Sequence, residues 1–302
     1  MNMIDLSIII VTYNSEKDIR PCLNSIVETK GDLAIELFVV DNNSQDNTVA
    51  VVRNEYPAVR LIANDTNAGF PGANNQAIRK TNARYILLLN PDTIVRPNAL
   101  QEMVKFMAEN PEYGVCGPRL VDENGHEIPY LRRLSFWNYC VSILGAGCLF
   151  GKYLPIRQID YISGAALMFR RELIDKVGFL EEKLFWCEDM DFCQRSLSKG
   201  YHVGFVQKAF IVHLVGRSGS FNLPLMLEKQ YSSKIAYLVK HKKPLETRMI
   251  ILLFMAEVAA RWLKWGFYSA WKSSEVGNIR VKTFARLFRE IPGLYRNLKH
   301  SQ

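Results

Sequence analysis

The chain has 302 residues, of which 48% are hydrophobic and 23% charged, a globular composition that excludes intrinsic disorder and leaves room for one large α/β domain with an extension, or for two domains. The net charge of +8 is uneven: from Lys229 onward 15 basic residues stand against 4 acidic ones, a net +11, and the remainder, with 23 basic and 26 acidic, is −3. That distribution argues against a basic nucleic-acid channel around a catalytic centre and predicts a basic appendage that meets something anionic.

Leu6 to Val11 is an unbroken apolar run, the pattern of a strand buried on both faces of a parallel sheet. It ends in Thr12-Tyr13-Asn14-Ser15. A helix follows, with Ser15 as its expected N-cap and Asp18 at the third helical position, in a capping-box spacing. Ile35 to Val40 is the next strand, closing in Asp41-Asn42-Asn43-Ser44, where Asn43 or Ser44 can cap a helix through Arg53. Val59 to Ile62 is a short strand before Asn64 to Phe70, and Pro71 to Asn75 opens a helix through Lys80. Tyr85 to Leu89 is a third long apolar run. It stops at Asn90-Pro91-Asp92, because Pro91 cannot donate to a sheet ladder. Strand–helix units therefore repeat, as in a doubly wound nucleotide-binding half. Asp92 falls just past the carboxyl end of a central strand, where such sheets bind ligands. A carboxylate there suits a divalent cation holding a diphosphate. The plainer alternative is a turn Asp, since Asn, Pro and Asp all form turns.

The set V-T-Y-N-S, V-V-D-N-N-S, N-A-G-F-P-G-A-N-N and L-L-L-N-P-D-T, in this order, resembles the family-2 glycosyltransferases of the GT-A fold. The N-x-G-F-x-x-x-N-N and L-N-P-D forms are most similar to bacterial rhamnosyltransferases. The resemblance covers residues 6–220. It implies a GT-A, Rossmann-like fold with a mainly parallel sheet flanked by helices. It also implies that Asp41 accepts a hydrogen bond from the ring N3–H of uridine or thymidine, with Thr12 and Asn14 beside it; the alternative for Asp41 is a helix cap. Gly69 lets backbone approach the nucleotide. Asn67 and Asn74 belong to the same donor loop, with Asn75 as an alternative to Asn74. The family's D-x-D metal motif reads Asn90-Pro91-Asp92 here. Asp92 keeps the role of ligand to Mg2+ or Mn2+, Asn90 is left to bind ribose or a donor hydroxyl, and the hold on the metal weakens without the donor's phosphates.

Thr93 to Gly114 reads as a helix starting after Pro97. Tyr113 to Pro118 is a strand, and Asp122 to Gly125 a hairpin turn. Residues 132–155 are apolar but Gly-broken, too short to span a membrane, and read as a flap on the acceptor side. Tyr161 to Arg170 looks like a strand preceded by a small-residue turn, and Arg171 to Val177 is a short helix. In Phe185-Trp186-Cys187-Glu188-Asp189-Met190-Asp191, three carboxylates crowd four residues, which is unfavourable unless something uses them. The resemblance places the general base at Asp189, with Glu188 beside it. Asp191 either pairs with Arg195 at i+4 or holds the acceptor hydroxyl. An acidic helix start is the plain alternative for the whole cluster. Tyr201 to Val212 is the last strand. His213 and Arg217 follow it; the resemblance gives His213 to the metal, a plain strand-end His being the alternative, and Arg217 suits the diphosphate.

From Pro224 the pattern turns helical, with helices over Leu225 to Lys240 and Thr247 to Lys272. In the second, Glu257, Arg261, Lys264, Tyr268 and Lys272 share one narrow stripe. Most of the rest, including Trp262, Trp265, Phe267 and Trp271, is apolar. With the basic stretch Arg280 to Lys299 this fits a helix lying in a membrane interface; packing onto the catalytic domain or a second subunit is the alternative. The six cysteines include no C-x-x-C pair, and no secretory leader is visible, so reduced thiols in a cytosolic protein are expected.

The reading is a catalytic domain over residues 1–223, split into a nucleotide-sugar half (1–118) and an acceptor half (119–223), and a basic helical extension over 224–302. Its expected activity is inverting transfer of L-rhamnose from dTDP-rhamnose to a lipid-linked or polysaccharide acceptor of the bacterial envelope, on the cytoplasmic membrane face. UDP-galactose, UDP-galactofuranose or UDP-N-acetylglucosamine are alternative donors. A sugar nucleotidyltransferase is disfavoured because Thr12 to Glu16 offers neither Gly nor a basic residue. A non-catalytic scaffold would not need the acids at Glu188 and Asp189. No nucleic-acid partner is expected, and a homodimer is compatible with the apolar helix.

Overall fold

The computed structural model describes residues 4–128, 136–143, 159–214, 223–272 and 275–300. The chain forms two compact units. The first holds residues 1–131, 156–182 and 188–219, and is built on an eight-stranded sheet. Its strands are β1 (Leu6–Thr12), β2 (Ile35–Asp41), β3 (Arg60–Ala63), β4 (Tyr85–Leu89), β5 (Thr93–Val95), β6 (Tyr113–Val121), β7 (Ala166–Arg170) and β8 (His202–His213), in the order β3-β2-β1-β4-β7-β6-β8-β5. β3, β2, β1 and β4 run parallel. β7 is antiparallel to both β4 and β6, and β5 is antiparallel to β8.

The long apolar runs became the central strands because both faces of the sheet are covered. Every residue of β1 and β4 is buried. Side chains alternate between faces with a period of two. Ile8, Ile10, Leu87 and Leu89 therefore enter one core, with helices α1 (Glu16–Thr29) and α4 (Ala99–Glu109). Ile9, Val11, Ile86 and Leu88 enter the other, with α3 (Gly69–Ile78) and α7 (Glu188–Ser198). Each fully buried aliphatic side chain of this kind stabilises the fold by about 1.5–3 kcal/mol, so these two strands anchor the unit. Chain order reverses between β1 and β4, which opens a crevice at their carboxyl ends.

Several boundaries differ from expectation. Thr93 to Val95 forms the short strand β5 ahead of α4, because its β-branched residues pair with β8 through Thr93–His213 and Val95–Ile211. β7 occupies only Ala166 to Arg170, and the small-residue turn expected ahead of it falls at Ser163 to Ala165. Helix α2 (Thr48–Glu55) starts after Asn47, so Asn43 and Ser44 do not cap it. Ser15 does not cap α1 through its side chain either. The Glu16 N–H donates to Asp46 at 3.0 Å, and the Ser15 N–H donates to the Thr48 hydroxyl at 2.8 Å, so the two helix starts tie to each other. The turn after β6 is as expected: Asp122 N–H donates to His126 O and Ile128 N–H to Leu120 O.

The second unit gathers α5 (Phe136–Ile143), residues 183–187, α8 (Leu223–His241), α9 (Pro244–Lys272) and α10 (Glu275–His300). Its core holds Tyr231, Ile235, Leu238, Ile250, Phe254 and Val258. Glu257 accepts hydrogen bonds from Tyr139 and Tyr231 and pairs with Arg261. The charged stripe of α9 is thus partly turned into this unit. Of the segment read as a flap, residues 136–143 form α5, and 132–135 and 144–155 lie outside the described residues. Among the described residues the five cysteines are free thiols, and no helix is long and apolar enough to cross a membrane. Burial pushes the Cys22 thiol up to about 12.

Candidate active site

The first centre forms where β1 and β2 end. Asp41 is buried, and its carboxylate accepts from the Thr12 hydroxyl at 2.8 Å, from the Ser44 N–H at 2.8 Å and from the Ser44 hydroxyl. A carboxylate has about four acceptor positions, so these donors hold the group in one orientation and leave it capacity for one more. Thr12, expected beside a ligand, is fully buried and acts by orienting Asp41. Asn14 has φ +52, and its side chain is engaged: its Oδ1 accepts the Gln45 N–H at 2.7 Å, while its backbone N–H donates to the Ser44 hydroxyl at 2.8 Å. Ser44, absent from the expected set, emerges as the residue that clamps Asp41. Asn42 is another. It donates to Gly69 O at 3.2 Å and accepts from the Ala68 N–H at 3.3 Å, tying the end of β2 to the donor loop.

In that loop Asn67 Oδ1 accepts the Gly69 N–H at 2.8 Å, an Asx-type turn. Gly69 has φ +72, a conformation an L side chain rarely adopts. Asn74 is fully buried and donates to Phe70 O at 2.9 Å, back along its own helix. Asn75 exchanges two hydrogen bonds with the Leu180 backbone, at 3.0 and 3.1 Å. Asn75 therefore braces the loop beyond Gly178, and Asn74 serves the helix start.

The second centre sits at the end of β4. The β5–β8 pairing sets Thr93 opposite His213, and the Leu214 N–H donates to Asp92 O at 2.8 Å. His213 Nε2 thereby comes within 3.4 Å of Asp92 Oδ1, and both side chains are largely buried. The predicted pair is brought together. One carboxylate oxygen and one imidazole nitrogen form a donor set that a divalent ion accepts, with imidazole favouring Mn2+ over Mg2+. Among the described residues no group of three or more His, Cys, Asp or Glu side chains converges, so most of such an ion's shell would have to come from elsewhere. Asn90 lies beside this pair and donates its backbone N–H to Ala165 O at 3.0 Å.

The third centre follows from that bond. Ala165 ends the turn Ser163-Gly164-Ala165, and the Gly164 N–H donates to Asp189 Oδ2 at 2.9 Å. A Cβ on Gly164 would lie 3.3 Å from the Phe70 ring and 3.8 Å from Asp189 Oδ2. A side chain here would have to push the Phe70 ring back by a few tenths of an ångström, because the donor loop, the entry to β7 and the start of α7 meet there. Asp189 Oδ1 also accepts the Met190 N–H at 2.7 Å. Burial nevertheless outweighs these two donors and pushes the Asp189 carboxyl up to about 6. Glu188 is buried at the head of the helix. Asp191 is fully buried and accepts from Arg195 Nε at 2.8 Å, while Arg195 also donates to Phe179 O at 2.9 Å and to Val177 O. Of the three acids, Asp191 is thus placed in the scaffold, and Asp189 is the one held at the Gly164 turn. Arg217 lies outside the described residues.

Comparison with known proteins bears on this arrangement. The sequence profile of the family described as Glycosyl transferase family 2 matches residues 7–178. The low-salt glycan biosynthesis hexosyltransferase of Haloferax volcanii is 28% identical over 217 residues, covering 69% of this chain and 67% of that protein. The N-acetylglucosaminyl-diphospho-decaprenol L-rhamnosyltransferase of Mycobacterium tuberculosis is 23% identical over 238 residues, covering 69% and 75%. Among solved structures, the Pyrobaculum calidifontis mannosyltransferase in complex with GDP-Man and Mn2+ aligns with a TM-score of 0.61 at 20% identity, covering 99% of this chain and 84% of that one. S. aureus TarS in complex with UDP-GlcNAc aligns at 0.56 and 17%, covering 98% and 91%. With more than half of its length matched by the profile, and its sheet aligned with these folds, the chain belongs to glycosyl transferase family 2 and is a glycosyltransferase of the GT-A fold.

Proposed function

We propose that this glycosyltransferase moves one sugar from a uridine or thymidine diphosphate donor to an acceptor hydroxyl in a single displacement that inverts the anomeric centre. The observation that carries this reading is the Gly164 turn. It joins the Asp92–His213 pair, through Asn90 and Ala165, to a half-buried carboxylate whose proton affinity is raised toward neutrality. Asp189 takes the proton from the acceptor hydroxyl as its oxygen attacks the anomeric carbon. The Gly164 and Met190 N–H groups fix the direction of its lone pairs. Each carboxylate oxygen accepts one of them and keeps a second acceptor position. Asp41, held by Thr12 and Ser44, accepts the ring N3–H that uracil and thymine share and cytosine lacks.

Asp92 and His213 would hold a divalent cation, Mn2+ or Mg2+, whose shell the donor's phosphate oxygens complete. Bound there it supplies Lewis-acid stabilisation of the leaving diphosphate. The donor favoured is dTDP-L-rhamnose, supported by the sequence motifs and by the rhamnosyltransferase relative. A UDP-hexose is the second reading, supported by the hexosyltransferase relative and the likeness to TarS with UDP-GlcNAc. A lipid-linked or polysaccharide acceptor of an envelope glycan, met at the cytoplasmic membrane face, agrees with the basic C-terminal helices.

A panel of nucleotide sugars, scored for released nucleoside diphosphate with and without divalent metal, tests the proposal. Release from thymidine or uridine donors that stops on chelation is expected, and His213→Ala should raise the metal concentration needed. Turnover of cytidine or guanosine donors alone would contradict it, as would full activity in chelator.

A further inference from the structure

Helix α9 has an outer face that the fold does not cover. Thr247, Ile250, Ile251, Phe254 and Val258 of its first half are buried in the second unit. The residues on the opposite side are apolar and exposed. Leu245, Leu252, Leu263, Phe267 and Trp271 are 70, 66, 60, 77 and 81% exposed. At 100° per residue they fall on one stripe, which Ala256 and Ala260 continue between them. The stripe runs for about 40 Å at 1.5 Å per residue and contains no charged residue. Scattered exposed apolar residues are ordinary, but a continuous exposed stripe marks an interaction surface.

We propose that this stripe is the face by which the enzyme lies on an anionic lipid surface, with α9 parallel to the membrane plane. The occupant is argued from charge. Arg248 stands on one border of the stripe and Lys264 on the other, both exposed. Residues 261–282 carry five basic side chains against the single acid Glu275. A helix with exposed Trp and Phe, flanked by long cationic side chains that can reach headgroups, matches the interfacial type. The helix's one interior acid, Glu257, is turned inward to Tyr139 and Tyr231, away from that face. The inference rests on the reading of a membrane-side acceptor and assigns the surface that reading requires.

Sedimentation of the full-length protein with phosphatidylglycerol-containing vesicles tests it, beside Phe267→Ser/Trp271→Ser and Arg248→Glu/Lys264→Glu variants. At low salt the wild type should bind, and each variant should bind more weakly by on the order of tenfold or more, with nucleotide affinity unchanged. Brominated lipids should quench wild-type tryptophan fluorescence, and Trp271→Phe should lose most of that quenching. Variants that bind as tightly as wild type would place the contact elsewhere and overturn the inference, leaving the membrane-side acceptor standing. A wild type that ignores anionic vesicles would overturn both, without touching the donor chemistry. A wild-type dimer that the Phe267/Trp271 variant converts to monomer would make the stripe a subunit interface and likewise overturn the inference.

Discussion

Asp41 and Asp189 are both carboxylates near the ends of buried elements, yet their surroundings differ, and so do the tasks proposed for them. Asp41 is surrounded by donors from Thr12 and Ser44, an environment that fixes the direction of an acceptor. Asp41→Asn should remove the preference for uridine over cytidine diphosphate. Calorimetry should show UDP affinity falling by about 1.5–3 kcal/mol, the worth of a hydrogen bond to a charged group, and an unchanged UDP-to-CDP ratio would refute the assignment. Asp189 has two N–H donors but is desolvated, and burial holds it near 6. The proposed base works ionised, so kcat/KM should climb about tenfold per pH unit below that value and level off above it. The folded state binds this proton more tightly than the unfolded one, whose ordinary value is 3.8. This group therefore lowers stability as pH rises from about 4 to about 6. A pH–rate profile still flat at pH 5 would exclude Asp189 as the titrating base. At this scale the sequence was legible where a contact is local: the Asp191–Arg195 pair at i+4 is formed as its spacing implied. Ser44 clamping Asp41 was not, because Ser44 read equally well as a helix cap. The small residues around Gly164 read as a turn ahead of the strand, but nothing in the sequence tied that turn to Asp189, 25 positions on.

At the scale of elements, register does the assembling. β7 runs antiparallel to β4 with Ala166 beside Leu89, so the turn before β7 arrives where β4 ends. β5, three residues long, pairs with the last residues of β8 and carries His213 to Asp92. The unbroken apolar run of β4 gave its bounds from sequence alone. β5 did not show, because three β-branched residues before Pro97 carry too little pattern to separate from the helix that follows. Gly164→Ala tests the convergence at that turn. The added Cβ would press on the Phe70 ring at 3.3 Å and shift the N–H that holds Asp189. Turnover should fall by about 10- to 100-fold, in the range of a modest misplacement of a catalytic group, with nucleotide affinity and melting temperature nearly unchanged. Wild-type turnover in Gly164→Ala would mean that this N–H does not position the base.

For the molecule as a whole, charge and hydrophobicity are sorted by region. The sheet-bearing unit carries the acidic and amide residues of the site, and the C-terminal helices carry the basic excess. This sorting was visible in the amino-acid counts, as was the repeated strand–helix order that made the fold readable. Which face of α9 is covered was not visible: its charged stripe and its apolar stripe each suited either side, and the tyrosines that receive Glu257 come from α5 and α8. The central claim is that Asp189 deprotonates the acceptor in a one-step transfer. Single-turnover transfer by Asp189→Asn, measured beside calorimetric donor binding, tests it most directly. The rate of the chemical step should fall by about 10² to 10⁴ while donor affinity stays within about twofold of wild type. A variant that transfers sugar at the wild-type rate would show that another group takes the proton.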